Sequence, residues 1–255
     1  MERNTKDSKI YVGGSAYNNG VVFSSENYTA KFAMNNQNNY EITHKKRVQV
    51  GGFKKHVMRI PILKGILLLF ETPISFLLTG SMIILDIFEY TSKKTESNIN
   101  SIFLVVAIVI ALGILFYITK NVVYKAKLTL EYHGAEHKTI FAYENETELT
   151  LDNVRKSPRI ARRCGTNVIV FFAFFFIIMS LFVKYGSVRY MVSFVLAYEL
   201  FDLDNGDSIP VIKLFFKLGQ WCQHRIFTRE PSDNQIIASI DTLQTLINLE
   251  TSEKS

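Results

Sequence analysis

Two uninterrupted apolar runs constrain this chain more than any other feature. Residues 101–119 (SIFLVVAIVIALGILFYIT) carry no charge, and residues 167–183 (NVIVFFAFFFIIMSLFV) are equally clean. As a helix the first run would rise about 28 Å, close to the ~30 Å hydrocarbon core of a bilayer; the second is at the short limit. Two less pure runs accompany them. Residues 65–85 are interrupted by Glu71 and Pro73, and residues 188–203 hold Arg189, Glu199 and Asp202. The pattern predicts about four transmembrane helices.

Charge placement predicts their orientation. Of the 29 Lys and Arg, ten lie from Arg3 to Arg59, ahead of the run at 65–85, with Lys64 at its edge; nine lie between the runs at 101–119 and 167–183, and five follow the run at 188–203. The positive-inside rule then predicts a multi-pass protein of the plasma membrane, with both termini and the central loop cytoplasmic. The net charge of +6 is accounted for by topogenesis and by a bilayer with anionic lipids as partner. It calls for no nucleic acid, and the residues name no protein partner. The polar first 39 residues contain no apolar core of a signal peptide. Cys164 and Cys222 have no framework spacing and are expected as reduced thiols.

The expected fold class is therefore a mainly α-helical integral membrane protein with a small N-terminal β-subdomain and cytoplasmic helices. Five segments follow: a β-rich stretch over 1–59, a first transmembrane pair over 60–120 and a central loop over 121–166. A second transmembrane pair over 167–203 and C-terminal amphipathic helices over 204–255 complete the chain. Short strands are expected over 9–12, 21–23, 29–34 and 40–43, with Gly13-Gly14 and Asn19-Gly20 as turns. Residues 121–143 predict a helix, Thr150 the start of a short one, and residues 211–227 an amphipathic one rich in Leu, Phe and Trp221. Ser232 caps a last helix whose stripe is Ile236, Ile240, Leu243 and Ile247.

Within the central loop, residues 133–137 read His-Gly-Ala-Glu-His. At about 100° per residue His133 and His137 lie within roughly 40° of each other, and Glu144 returns to the same face. The spacing is that of the inverted zincin pattern, in which two His bind a divalent metal while the Glu holds or deprotonates water. The competing reading is two surface histidines paired with Glu136 and Glu131. A metal needs a further ligand. Glu144 qualifies by helical phase, and Glu199 because a carboxylate in so apolar a run needs a partner. Zinc or another divalent ion is the expected cofactor, with His133, His137, Glu144 and Glu199 as ligands and Glu136 as the catalytic group. Cys164 is a soft donor or a structural buried thiol.

These residues carry a resemblance. His133–Thr139 (HGAEHKT), Tyr143-Glu144, Leu149-Thr150, Val154, Arg159 and Arg163-Cys164-Gly165-Thr166 resemble the YqhQ-like family of bacterial membrane proteins. Gly13-Gly14, Gly20-Val21, Tyr198-Glu199-Leu200, Leu218-Gly219-Gln220-Trp221 and Thr228-Arg229-Glu230-Pro231 extend the match over most of the chain. The family is one of uncharacterised function, labelled as predicted metal-dependent enzymes, and the resemblance implies a metal site at the retained His and Glu residues. The chain departs from the pattern at Asn19 (usually Glu), Ser24 (usually Arg), Ala161-Arg162 (usually His-Pro) and Leu218 (usually Pro).

The leading expectation is a membrane-embedded, cytoplasm-facing, metal-dependent hydrolase whose substrate the residues do not specify. The alternative is a non-catalytic membrane scaffold or assembly factor in which the His and Glu residues form a structural polar network. A transporter using Glu71 and Glu199 as a polar pathway comes third, since no inverted repeat is visible.

Overall fold

The computed structural model describes residues 10–34, 40–48, 52–71, 127–203 and 206–253, with positions 80, 82–83 and 86–87. The chain divides into two units. One comprises Met1–Gln49, Lys120–Ala161 and Gln223–Ser255; the other comprises Val50–Thr119 and Arg162–Cys222.

The first unit is built on an antiparallel sheet of four strands in sequence order: β1 (Gly13–Tyr17), β2 (Gly20–Ser24), β3 (Tyr28–Met34) and β4 (Tyr40–Lys46). Strand alternation sets its faces. Val21 and Phe23 on β2 stand opposite Phe32 and Ala30 on β3, and all four are buried. They pack with Tyr132 and Ile140 from a helix over residues 127–144 (α3) and with Ala238, Leu243 and Leu246 from a C-terminal helix (α8, Asp233–Ser252). Ser232 stands at the N-cap of α8, and Gln235 Oε1 accepts from its amide at 2.8 Å, closing a capping box. Gln235 Nε2 in turn donates to Glu131 on α3 at 3.1 Å. A short helix, α4 (Leu151–Lys156), starts at Thr150, whose hydroxyl accepts from Asn153 N, and buries Val154 against Ile236 and Ile240. The far end of α8 is tied to the sheet: the Glu250 carboxylate accepts from Ser25 Oγ, from Asn27 N at 2.9 Å and from Asn27 Nδ2 at 3.0 Å.

Strand β1 begins four residues later than the sequence pattern predicts. Gly13-Gly14 is not a turn but the start of the strand, paired with Ser24 and Phe23. The reason lies in what covers Gly14, as the site shows below.

The second unit is helical among its described residues. Helices α1 (Gly52–Val57) and α2 (Leu63–Glu71) precede α5 (Gly165–Ser180), α6 (Gly186–Phe201) and α7 (Pro210–Cys222). Phe171 is fully buried, with its ring centroid 5.2 Å from that of Phe216 and 5.4 Å from that of Phe215. Asp86 caps α6, accepting from Gly186 N at 2.9 Å and Ser187 N at 2.8 Å. On α7 the buried stripe is Ile212, Phe216 and Gly219, while Leu214, Leu218 and Trp221 are exposed.

The integral-membrane fold and the multi-pass plasma-membrane placement are corrected here. Among the described residues no helix is long and apolar enough to cross a membrane. Helices α5 and α6 have 16 residues each, about 24 Å of rise against a ~30 Å hydrocarbon core. A helix apolar on all sides reads alike whether it lies in lipid or in a helical core, and only length separates the two. Here α5 stops at Ser180, before its apolar run ends. The run at 101–119 lies outside the described residues, as does most of 72–85 and the side chain of Glu71.

Candidate functional site

Helix α3 carries the His-Gly-Ala-Glu-His turn into the first unit, and every residue of 133–139 has a defined neighbour. Gly134 lets the chain at 229–231 cross directly over the helix. A Cβ there would fall 2.1 Å from the Arg229 carbonyl oxygen, and the Arg229 amide donates to Leu130 O at 2.9 Å. Ala135 is fully buried. Lys138 is 4% exposed, its ammonium donating to Arg155 O at 2.7 Å and Ser157 O at 2.9 Å and pairing with Glu230 at 2.8 Å. Thr139 turns its hydroxyl back to Ala135 O at 2.9 Å.

His133 is half-buried, and its charge opposes the upward shift of the Glu136 carboxyl. His137 is 2% exposed, and the rings of His133 and His137 lie edge to face with centroids 4.3 Å apart. Each Nδ1 meets a backbone carbonyl: Phe227 O at 2.9 Å for His133 and Arg159 O at 3.1 Å for His137. A carbonyl only accepts, so these contacts select the tautomer protonated on Nδ1 and put the lone pair on Nε2. This is how ligating histidines are oriented in metal sites. The two side chains offer ring nitrogens within 4.8 Å of one another.

Glu136 faces the sheet. It is 5% exposed, and a Cβ on Gly14 would lie 2.4 Å from its Oε1, so β1 must present glycine at that point. Its Oε2 is buried with no hydrogen-bond partner among the described residues. Burial pushes its carboxyl up to about 7, against the opposing pull of His133.

The remaining predicted ligands have other surroundings. Glu144 is exposed at the end of α3, about 10 Å of helical rise beyond His137. Glu199, in the second unit, accepts from Ile62 N at 2.8 Å and lies 3.5 Å from Lys64. Ile62 has φ of 69°, unusual for a β-branched residue, and Glu199 holds that turn. Cys164 is buried, outside any disulfide, at the N-cap of α5, with its Sγ 3.4 Å from Thr166 Oγ1. Sequence reasoning missed Lys138, Gly14, Glu230 and the carbonyls of Arg159 and Phe227. The blocks Gly13-Gly14, which has the chemistry of a turn, and Thr228–Pro231 were the available signal.

The π-helical turn Gln223–Phe227 brings a second group of side chains to this unit. Arg159 Nη1 pairs with Glu230 Oε2 at 2.7 Å, and Arg159 Nη2 lies 3.4 Å from His224 Nε2. With Glu131, Arg225, Thr228 and Arg229 these residues line an open cleft of about 510 Å³.

Fold and site together define a sheet-and-helix protein organised around a buried His-x-x-Glu-His turn. The family described as "Protein of unknown function (DUF1385)" matches residues 21–249, and the chain belongs to it. It is similar to "Uncharacterized protein YqhQ" of Bacillus subtilis (strain 168), at 29% identity over 175 residues, which cover 63% of this chain and 52% of that protein. The chain thus spans about half the length of the curated relative it matches. No solved structure matches. The YqhQ-like membership read from the motif blocks holds, whereas the metal-dependent label gains nothing from these matches.

Proposed function

We propose that the His133–His137 turn is a divalent-metal site and that the protein is a metal-dependent hydrolase. The observation that supports this reading most directly is the pair of Nδ1 contacts to Phe227 O and Arg159 O. Two adjacent imidazoles whose Nδ1 atoms both meet backbone carbonyls leave both Nε2 lone pairs available to a ligand, as in metal sites. Zinc fits imidazole donors, and when bound it would supply the acidity that brings a water's pKa toward neutrality.

The residues of the chain divide the remaining work. His133 and His137 hold the ion through Nε2. Glu136 takes up the proton of the attacking water, because a carboxyl titrating near 7 exchanges protons at neutral pH and its Oε2 has unused acceptor capacity. Gly14 keeps that carboxyl in place by leaving it room.

Metal analysis of purified protein tests the first step. Wild type should carry about one ion per chain, and the His133→Ala, His137→Ala double variant about none. Equal content in the two sinks the reading. The Glu144→Gln variant, measured in parallel, tests whether that carboxylate supplies the further donor that such a site needs.

A second reading has its own support. Gly134 and Lys138 of the same turn serve packing, so the whole turn could be a structural polar network in a scaffold protein. Glu136→Gln separates the two in a complementation assay: the hydrolase reading expects loss of function with the fold retained, and the scaffold reading expects none.

A further inference from the structure

The cleft beside the histidines has a chemistry that neither the metal nor Glu136 uses. Its lining includes Arg159, His224, Arg225, Arg229 and two carboxylates, Glu131 and Glu230. Each carboxylate already has its own cation. Glu230 is paired with both Arg159 and Lys138, and Glu131 lies 3.8 Å from Lys127. After that matching, the exposed guanidiniums of Arg225 and Arg229 remain without an ion pair among the described residues. Arg159 also has capacity to spare, since its Nε is buried without a hydrogen-bond partner among the described residues.

The backbone fixes this cleft to the histidine turn at three points. His137 Nδ1 is bonded to the carbonyl of Arg159, and His133 Nδ1 to that of Phe227, between Arg225 and Arg229. The amide of Arg229 is bonded to Leu130 O, one turn before Gly134. The backbone that carries the three arginines is therefore tied to the turn by the same contacts that orient the imidazoles.

We propose that this cleft binds the phosphoryl group of an anionic substrate, with Arg225 and Arg229 as its principal donors and Arg159 as the positioning residue behind them. Two forked guanidiniums suit a tetrahedral dianion, whose several oxygens take parallel N–H bonds from both. A single carboxylate would occupy only one fork. The substrate class that follows is a phosphate ester. Calling the anion a substrate rests on the reading of the turn as the reactive centre, but the binding itself does not.

Isothermal titration with inorganic phosphate, glycerol phosphate and acetate tests the proposal on the full chain. Wild type and Arg225→Gln, Arg229→Gln are compared, with thermal melts to show that both are folded. Both phosphates should bind wild type and acetate should not, and each Arg→Gln change should weaken phosphate binding by about tenfold. Binding that rises with falling salt agrees with this. Unchanged phosphate binding in the double Arg variant overturns the proposal, and so does absence of binding to wild type. The same titration on His133→Ala, His137→Ala keeps the two readings apart. Phosphate binding that persists there supports the cleft, whatever metal analysis says of the turn, and binding lost there but retained in the Arg variant overturns it.

Discussion

Helices α3 and α5 invert each other's relation to water. Helix α3 buries four polar residues in succession, Glu136, His137, Lys138 and Thr139, all at 5% exposure or less. Helix α5 has no charged residue and yet leaves Ile169 and Ile177 more than half exposed. Burying polar groups is costly unless each finds a partner. On α3 the partners are backbone carbonyls of Arg155, Ser157, Arg159 and Phe227. Among the described residues, the one buried side-chain polar atom on this turn without a hydrogen-bond partner is Glu136 Oε2. The contrast teaches that polarity inside α3 is arranged for position, while apolarity on α5 follows packing on one side only.

Gly134→Ala attacks this arrangement most directly. The atom in the way is a backbone oxygen, so the 229–231 segment must move and its bond to Leu130 O is strained. The expected loss is about 3 kcal/mol or more in urea unfolding. A loss below about 1 kcal/mol would show that the segment slides freely and that the contact does not position the histidines.

The Glu136 carboxyl gives a pH signature. In the unfolded chain it titrates near the usual 4.5, and in the folded protein burial holds its proton to about 7. The folded state therefore binds more protons between these values. Stability from this group is full below pH 4.5, falls as pH rises through about 7, and is flat above. The total loss is about 3 kcal/mol at most. In chelator-treated protein, urea midpoints from pH 4 to 8 should show that fall in wild type and not in Glu136→Gln. Parallel profiles would remove Glu136 from the buried, unpaired state described here.

Lys138→Met keeps the length of the side chain and removes its ammonium. Two carbonyls lose their donor and the Glu230 carboxylate keeps only Arg159, for an expected cost of about 2 kcal/mol. A neutral result would mean that water replaces the ammonium without strain.

The sequence made some of this legible and hid the rest for physical reasons. Alternation in Val21–Phe23 and Ala30–Phe32 carries β2 and β3, and the Ser232 cap carries the start of α8. Spacing placed His133 and His137 on one face. Strand β1 was misplaced because Gly13-Gly14 has the chemistry of a turn, and its use under a carboxylate depends on a residue more than a hundred positions away. The burial of Lys138 left no local trace, since its partners are carbonyls, which every residue carries. The apolar run at 167–183 identified a helix but not what covers it, and length alone then decided against a span.

The other side of the comparison gives the smallest effect. Ile177 is 67% exposed on α5, so serine there removes little buried area. The apolar character of the run suggests a large penalty, but stability follows area taken from water and not hydropathy of the sequence. Ile177→Ser should shift unfolding by no more than about 0.5 kcal/mol. A loss of about 2 kcal/mol or more would show that Ile177 is covered by something the described residues do not include. The same substitution would then report on that covering surface, and α5 would no longer be the apolar, open counterpart of α3.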